Sequence, residues 1–256
     1  MAELIDAVSA IAREAGALAM QRAREGFRRW EKAPGNPVSE VDLEVDALLR
    51  MRLEALLPEA GWLSEETADN ADRLGRARVW VVDPIDGTRD YVAGRTGWAV
   101  SIALVEHGRL VLGALDAPAI GDHWRAVAGG GVWRNGVGQR CGARDRLAGA
   151  RVPIDALPKD TDLTLVRKPN SIALRIAMVA ADEADLVATL RWGAEWDVAA
   201  AALIAAEAGA TVSDAFGVPL AFNTPSAQAF GVVVSPPAIH AAAVDRIADR
   251  ARALAG

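Results

Sequence analysis

The chain is poor in the residues that serve the commonest alternatives to carboxylate chemistry. Its single cysteine, Cys141, cannot form an internal disulfide, so nothing in the 256 residues demands an oxidising compartment. Three histidines, His107, His123 and His240, stand far apart without metal-ligand spacing, which argues against a His/Cys zinc centre. No run approaches the roughly 20 apolar residues of a membrane span. The N-terminal stretch carries Glu3, Asp6, Arg13 and Glu14 inside its apolar pattern, which reads as an amphipathic helix and not a signal peptide. A cytoplasmic protein without membrane contact is the expectation. There is no Lys/Arg block either, and 28 basic against 34 acidic residues leave a formal charge of −6. That balance argues against wrapping a nucleic acid polymer. It still admits an anionic small molecule if metal ions supply the positive charge. Gly-x-Ser-x-Gly and Gly-x-x-x-x-Gly-Lys-Ser/Thr motifs are missing, and Leu147 stands where a cysteine-phosphatase loop around Cys141 needs arginine.

What is present is a globular composition, 52% apolar and 24% charged. Residues 2–29 place Leu4, Ile5, Val8, Ile11, Ala12, Ala15 and Leu18 at helical spacing and run into the breaker cluster Ala33-Pro34-Gly35-Asn36-Pro37. Ser39-x-x-Asp42 has the form of an N-terminal cap for a second helix, which Pro58 stops. Val79-Trp80-Val81-Val82 is a continuous apolar run, as in a buried strand. Residues 98–105 and 110–115, joined at His107-Gly108, predict a hairpin. Residues 124–128 and 131–133 continue it as an antiparallel meander, with Gly129-Gly130-Gly131 as turn or bulge. Beyond residue 150 the pattern alternates: strand 163–166, helix 171–184, strand 186–190, helix 197–208, strands 210–213 and 230–234, and a terminal helix 238–254. Alternation predicts an α/β half. The expected organisation is an N-terminal α+β subdomain, 1–148, and a C-terminal α/β subdomain, 149–256, with no internal repeat.

Asp83-Pro84-Ile85-Asp86-Gly87-Thr88 is the densest chemical stretch, and it follows directly on the buried run. Two carboxylates three residues apart, with the Ile85 carbonyl between them, can converge on a hard cation, and oxygen-only ligands suit Mg²⁺. Gly87 lets the backbone approach a ligand closely, and Thr88 offers a hydroxyl and an N–H that would attract phosphate at a helix start. Asp-Pro and Asp-Gly are also common turn dipeptides, so spacing alone leaves a plain turn equally open. Taken alone, Glu65-Glu66 reads as a solvated edge, Asp197 as a helix N-cap, and Asp42 as an acid suited to a helix's first turn.

In order along the chain, these pieces resemble the inositol monophosphatase superfamily of Mg²⁺-dependent, lithium-sensitive phosphatases. Asp83 to Thr88 is similar to that family's first signature, and Trp196-Asp197 through Glu207-Ala208-Gly209 to its second. Ser64-Glu65-Glu66 resembles its Gly-Glu-Glu, and Val38-Ser39-x-x-Asp42 its Val-Thr-x-x-Asp. The resemblance covers nearly the whole chain. It implies a layered αβαβα sandwich of α+β and α/β character, with the active site between the two halves. It implies two or three Mg²⁺ ions on Glu65, Asp83, Asp86, Asp197 and the Ile85 carbonyl, and a phosphate cradled by Gly87 and Thr88. Thr88, with Asp42 behind it and Glu65 beside it, would position and deprotonate the attacking water. The partner implied is a small phosphate monoester, and a homodimer is admitted.

Some positions depart from the pattern. Ser64 replaces a glycine, Ala201 and Ala210 replace glycines of the second signature, and Lys168-Pro169-Asn170-Ser171 replaces a Gly-Ser pair. Leu190 stands where inositol enzymes place a glutamate. Arg89-Asp90-Tyr91 and Arg191-Trp192-Gly193 look more like the 3′(2′),5′-bisphosphate nucleotidase branch, in which an arginine pairs with a second phosphate and an indole stacks on adenine. That branch implies adenosine 3′,5′-bisphosphate as substrate, with Arg89, Arg191 and Trp192 as contacts. The alternatives are an inositol-1-phosphate, histidinol-phosphate or fructose-bisphosphate phosphatase, or a non-catalytic binding protein on the same fold.

Overall fold

Val79 to Val82 are all apolar because successive side chains of that strand enter two different cores on opposite faces of one sheet. A computed structural model describes residues 1–33, 36–154 and 161–255. In chain order it opens with α1 (Ala2–Glu25), the hairpin strands β1 (Arg29–Ala33) and β2 (Asn36–Ser39), and α2 (Glu40–Leu56). A run of seven strands follows: β3 (Gly61–Ser64), β4 (Arg78–Asp86), β5 (Ala99–Glu106), β6 (Arg109–Ala117), β7 (Asp122–Val127), β8 (Gly131–Arg134) and β9 (Val137–Gly138). A short helix, α3 (Thr88–Val92), lies between β4 and β5. These strands form one sheet in sequential order, antiparallel except for the parallel pair β3–β4. The remainder is β10 (Arg151–Val152), β11 (Thr164–Leu165), α4 (Ile172–Ala180), β12 (Val187–Ala188), β13 (Trp192–Ala194), α5 (Glu195–Glu207), β14 (Thr211–Ser213), β15 (Gln228–Phe230), β16 (Val233–Ser235) and α6 (Pro237–Ala255).

The layering follows from the two-residue period of the strands. Trp80 and Val82 join Val8 of α1 and Leu49 of α2 in one core. Val79 and Val81 join Ile176 of α4 and Ala200 and Ile204 of α5 in the other. The second sheet, β12-β16-β14, repeats the device. Val234 reaches inward to the α4–α5 core, whereas Val233 packs outward with Ala243 and Ile247 of α6. Helices α4 and α5 are thus covered on both sides by sheet. That is why Val198 to Ala205 is apolar all round, with no polar stripe. The result is the expected αβαβα sandwich.

The meander and the alternation hold, and the differences are informative. The first helix ends at Glu25, not 29, because Arg29 pairs with Ser39 in the β1–β2 hairpin. Pro34 and Gly35 of the breaker cluster lie outside the described residues. The helix expected over 171–184 spans Ile172–Ala180, since the N–H groups of Glu183 and Ala184 both turn back to the Met178 carbonyl. Strand 163–166 shrinks to Thr164–Leu165 and strand 186–190 to Val187–Ala188. The strand expected over 230–234 divides at Gly231, where φ is 71° and a side chain would stand 2.3 Å from the Thr189 carbonyl. The three-stranded sheet of the second half, β12-β16-β14, is antiparallel, while the short pair β10–β11 is parallel. No helix among the described residues is long and apolar enough to cross a membrane.

Candidate active site

Three residues apart on a regular strand, Asp83 and Asp86 would point to opposite faces. The pairing of β4 with β5 shifts register between them: Asp83 faces Ser101, whereas Asp86 faces Ala99. Three steps on β4 therefore match two on β5. This bulge turns both carboxylates toward one cleft at the strand's end, and Pro84, which has no N–H to pair, sits within it. Asp83 Oδ1 accepts from the Ile85 N–H at 3.0 Å. Gly87 follows at φ 96°, where a side chain would stand 2.7 Å from the Gly97 carbonyl and 2.8 Å from the Ser171 nitrogen. Only glycine fits, and α3 begins at Thr88.

Glu65 arrives by the parallel pairing of β3 with β4, which sets Ser64 beside Val82. Asp46 of α2 holds the loop that carries it. Its carboxylate accepts from the Ser64 hydroxyl on one oxygen and from the Thr67 hydroxyl, at 2.8 Å, on the other. The serine in place of glycine therefore has a structural partner. Lys32, from the β1–β2 hairpin, reaches Glu66 at 2.6 Å and Glu65 at 3.6 Å.

Asp42 is both a cap and a site residue, one role per oxygen. Oδ2 accepts from the Ser39 N–H at 2.8 Å and the Ser39 hydroxyl at 2.6 Å, which is half of the capping box at the start of α2. Oδ1 accepts from the Thr88 hydroxyl at 3.0 Å. Asp42 and Asp46, one turn apart, thus brace both sides of the cleft from a single helix face.

The far wall comes from the second half of the chain. Asp86 accepts from the Ser171 hydroxyl at 2.5 Å and the Ala173 N–H at 2.7 Å, at the N-terminus of α4. Asp197 lies in the first turn of α5, whose N-cap is Ala194; it is not the N-cap that its position taken alone suggests, and its carboxylate accepts from the Ala194 N–H. The cleft measures about 640 Å³. Glu65, Asp83, Ile85, Asp86, Gly87, Thr88 and Asp197 line it, and so do Arg89, Lys168, Arg175 and Arg191. Burial, reinforced by neighbouring carboxylates, pushes Glu65 and Asp197 up to about 7 and Asp83 well above the carboxylate range. Burial also lifts Asp86, to about 6, against hydrogen bonds from Ser171 and Ala173 that pull it down.

Part of the expected substrate contact lies elsewhere. Trp192 is 55% exposed, with its ring edge-on to Phe230, and is absent from the cleft lining. Leu190 packs into the apolar cluster around Phe230 and Ile247. Within Arg89-Asp90-Tyr91 only Arg89 reaches the cleft. Asp90 binds Arg95 and the Asn170 N–H, and the Tyr91 hydroxyl donates to the Ala19 carbonyl in the core. Asp46, Lys32 and Arg175 have no signal of their own in the sequence, and Ser171 is marked only by the stretch that stands in place of the family's Gly-Ser pair.

The donor set fits Mg²⁺. It is all oxygen, and it concentrates carboxylates whose burial and mutual repulsion a cation relieves. Among the described residues, no three His, Cys, Asp or Glu side chains close around one ion. That is compatible with Mg²⁺, which binds through one or two carboxylates, water and substrate phosphate, not a full protein cage.

Comparison with known proteins agrees with this geometry. The model of the inositol monophosphatase family matches residues 1–252. The 3′(2′),5′-bisphosphate nucleotidase CysQ of Escherichia coli is 31% identical over 237 residues, covering 86% of this chain and 94% of that protein. The inositol-1-monophosphatase SuhB of Mycobacterium tuberculosis is 34% identical over 241 residues, covering 82% and 77%. The solved structure of the Thermotoga maritima IMPase superposes with a TM-score of 0.84 at 26% identity, covering 99% of this chain and all of that one. With its signature acids gathered in one cleft and a family match along nearly its whole length, the chain belongs to the inositol monophosphatase family, whose members are Mg²⁺-dependent phosphatases.

Proposed function

We propose that this phosphatase removes the 3′-phosphate of adenosine 3′,5′-bisphosphate in the cleft between residues 1–148 and 149–256. The supporting observation is the lining itself. Four basic side chains, Arg89, Lys168, Arg175 and Arg191, share the cleft with the carboxylates. A monoester with one phosphate needs little cationic charge beyond its metals, whereas a second phosphate calls for guanidinium or ammonium partners. Leu190, half-buried against apolar groups, offers no acceptor to a sugar hydroxyl.

Glu65, Asp83, Asp86, Asp197 and the Ile85 carbonyl would hold two or three Mg²⁺ ions. Bound there, Mg²⁺ supplies Lewis-acid charge to phosphoryl oxygens and lowers the pKa of water. The residues of the chain orient the reactants. The Thr88 hydroxyl lies 3.0 Å from both Asp42 Oδ1 and the Ile85 carbonyl oxygen; with that carbonyl turned to a metal ion its hydrogen goes to Asp42, and its lone pairs remain to accept a hydrogen from water. Protons pass from water to Thr88 Oγ1 and from Thr88 to Asp42 Oδ1, with Glu65 beside them. The N–H groups of Gly87 and Thr88 cradle the phosphate. Asp42 is buried, which keeps its carboxylate less acidic than usual and a better acceptor for that proton.

Asp197→Asn separates the structural and chemical roles of that residue. Asparagine keeps an oxygen that can accept from the Ala194 N–H at the start of α5 and removes a buried charge, so the metal-free melting temperature should not fall. Mg²⁺ affinity and turnover should fall together. A variant with this substitution that stayed active and bound Mg²⁺ normally would remove Asp197 from the ligand set.

On substrate choice, kcat/KM for adenosine 3′,5′-bisphosphate should exceed that for inositol 1-phosphate at fixed Mg²⁺. Arg191→Ala should lower the first by about tenfold or more, the loss of one charge-assisted pair, and spare the second. A preference for inositol 1-phosphate that survives this substitution would overturn the nucleotide reading and leave the phosphatase intact.

A further inference from the structure

Two buried charges of opposite sign, Arg73 and Glu195, belong to no step of the chemistry above, and neither lines the catalytic cleft. Arg73 lies in the single 3₁₀ turn Ala71–Gly75, and Glu195 is the first residue of α5. Each is 2% exposed. They meet through the turn at 223–227, which is held between them.

Arg73 grips that turn from the first half of the chain. Its Nε and Nη2 donate to the two oxygens of Asp69, at 2.7 and 2.9 Å. Nη1 donates to Asn223 Oδ1 at 2.6 Å, and Nη2 also donates to the Thr224 carbonyl at 2.9 Å. Arg73 packs directly on β3, the strand that delivers Glu65: a side chain at Gly61 would stand 3.0 Å from Arg73 Cβ. Glu195 grips the turn from the other side. Its Oε2 accepts from the Asn223 N–H at 2.6 Å, and its Oε1 from the Thr224 N–H at 2.8 Å and the Thr224 hydroxyl at 2.6 Å. Asn223 has φ 56°, a conformation that lets successive N–H groups converge on one anion. The Glu195 N–H completes the attachment by donating to the Ala227 carbonyl at 2.9 Å.

Helix α5 needs such an anchor. From Val198 to Ala206 its side chains are apolar and mostly alanine, and small side chains present shallow ridges that specify position along the axis only weakly. Directional contacts sit at its ends. Glu207 accepts from the Gly129 and Gly131 N–H groups, about 15 Å of helix away from Asp197, whereas Glu195 stands in the same first turn as Asp197. Asp197 and Glu65 line one cleft, where their negative charges oppose each other. We infer that Arg73 and Glu195 are positioning residues: through the turn at 223–227 they hold the first turn of α5, and with it Asp197, at a fixed distance from Glu65. This rests on Glu65 and Asp197 as Mg²⁺ ligands. A site held in this way takes up its ion without first having to gather its ligands against their repulsion.

Isothermal titration of the full chain with Mg²⁺, without substrate, tests the bridge. Glu195→Gln keeps the side-chain shape but turns an amide NH₂ toward a donor. Arg73→Met fills similar space without the fork. It strands no charge, because Asp69 is 40% exposed and Glu195 keeps its own donors. Each variant should bind Mg²⁺ about tenfold more weakly, the scale of a ligand displaced by about 1 Å or less, and the double variant should be little worse than either. Turnover should recover at saturating Mg²⁺, so that the loss falls on the Mg²⁺ requirement and not on kcat. Thr224→Val removes one hydroxyl from the cluster and should shift Mg²⁺ binding the same way, which keeps the test open if a larger change prevents folding. Ile247→Ala, in the core under α6, should lower the melting temperature and leave Mg²⁺ binding as it was. Unchanged Mg²⁺ affinity in the folded bridge variants would make the cluster a prop for the fold alone and overturn the inference. Equal weakening in Ile247→Ala would do the same. Asp197→Asn tells this failure from that of the ligand set, since it weakens Mg²⁺ binding wherever Asp197 is a ligand, with or without the bridge.

Discussion

Asp83→Asn, and separately Asp86→Asn, should reduce kcat by about 10²-fold or more, the scale of losing one preorganised electrostatic contact in a water-poor site. EDTA should abolish turnover of the unaltered chain, and Mg²⁺ should restore it. Stability should move the other way for Asp83. That carboxyl is fully buried beside Glu65 and Asp86, so its charge is a burden on the metal-free fold that asparagine removes. The same crowding sets a pH dependence. Asp86 rises to about 6 and Asp197 to about 7, from ordinary values near 4. Between those limits the folded chain binds more protons than the unfolded one, so stability falls as pH rises. In EDTA the melting temperature should therefore decline from about pH 4 to about pH 7, and Mg²⁺ should flatten the decline. Full activity of Asp83→Asn, or a metal-free melting temperature that climbs over that range, would refute the shared cation site.

Thr88→Ala should cost about 10²–10⁴-fold in kcat, the usual worth of positioned proton transfer, with a smaller effect on KM. Thr88→Ser should recover much of the loss, because it restores the hydroxyl that donates to Asp42. Asp42→Asn tests the other end of the relay. It should lower kcat comparably and also lower the melting temperature modestly, since the other oxygen of Asp42 belongs to the α2 capping box. The double variant should be little worse than either single one, because residues that act as one unit do not contribute additively. Independent, multiplicative losses would show that Thr88 and Asp42 serve separate purposes.

Residue order alone determined a good deal of this protein. The capping box at Ser39, the strand buried on both faces at Val79–Val82, the strands of the meander after it and the apolar run Val198–Ala205 of α5 are local patterns, each readable within one element. The candidate acids were not legible one by one: alone, Asp83 and Asp86 read equally as a turn, Glu65 as a solvated edge and Asp42 and Asp197 as capping residues, and only their order along the chain, through its resemblance to a family, singled them out. The capping interpretations of Asp42 and Asp197 had to be settled in space: Asp42 serves the cap and Thr88 with different oxygens, and Asp197 is not the N-cap but accepts from the N–H of the N-cap Ala194 while lining the cleft.

Tertiary structure decided which side chains meet. The convergence of Asp83 and Asp86 depends on a register shift against β5, and Glu65 reaches them through a parallel pairing with a strand that shows no alternation of its own. Ser171 touches Asp86 across 85 residues of sequence. Lys32 reaches Glu66 from a hairpin whose residues are all exposed at its first strand. Arg89, Asp90 and Tyr91 look like one motif in the chain, yet a helical turn sends Arg89 to the cleft and Tyr91 to the core. Trp192 turns to Phe230 and away from the cleft. Spacing along a chain specifies direction only while the backbone stays regular, and the backbone is least regular at bulges, turns and helix ends, where this site is built.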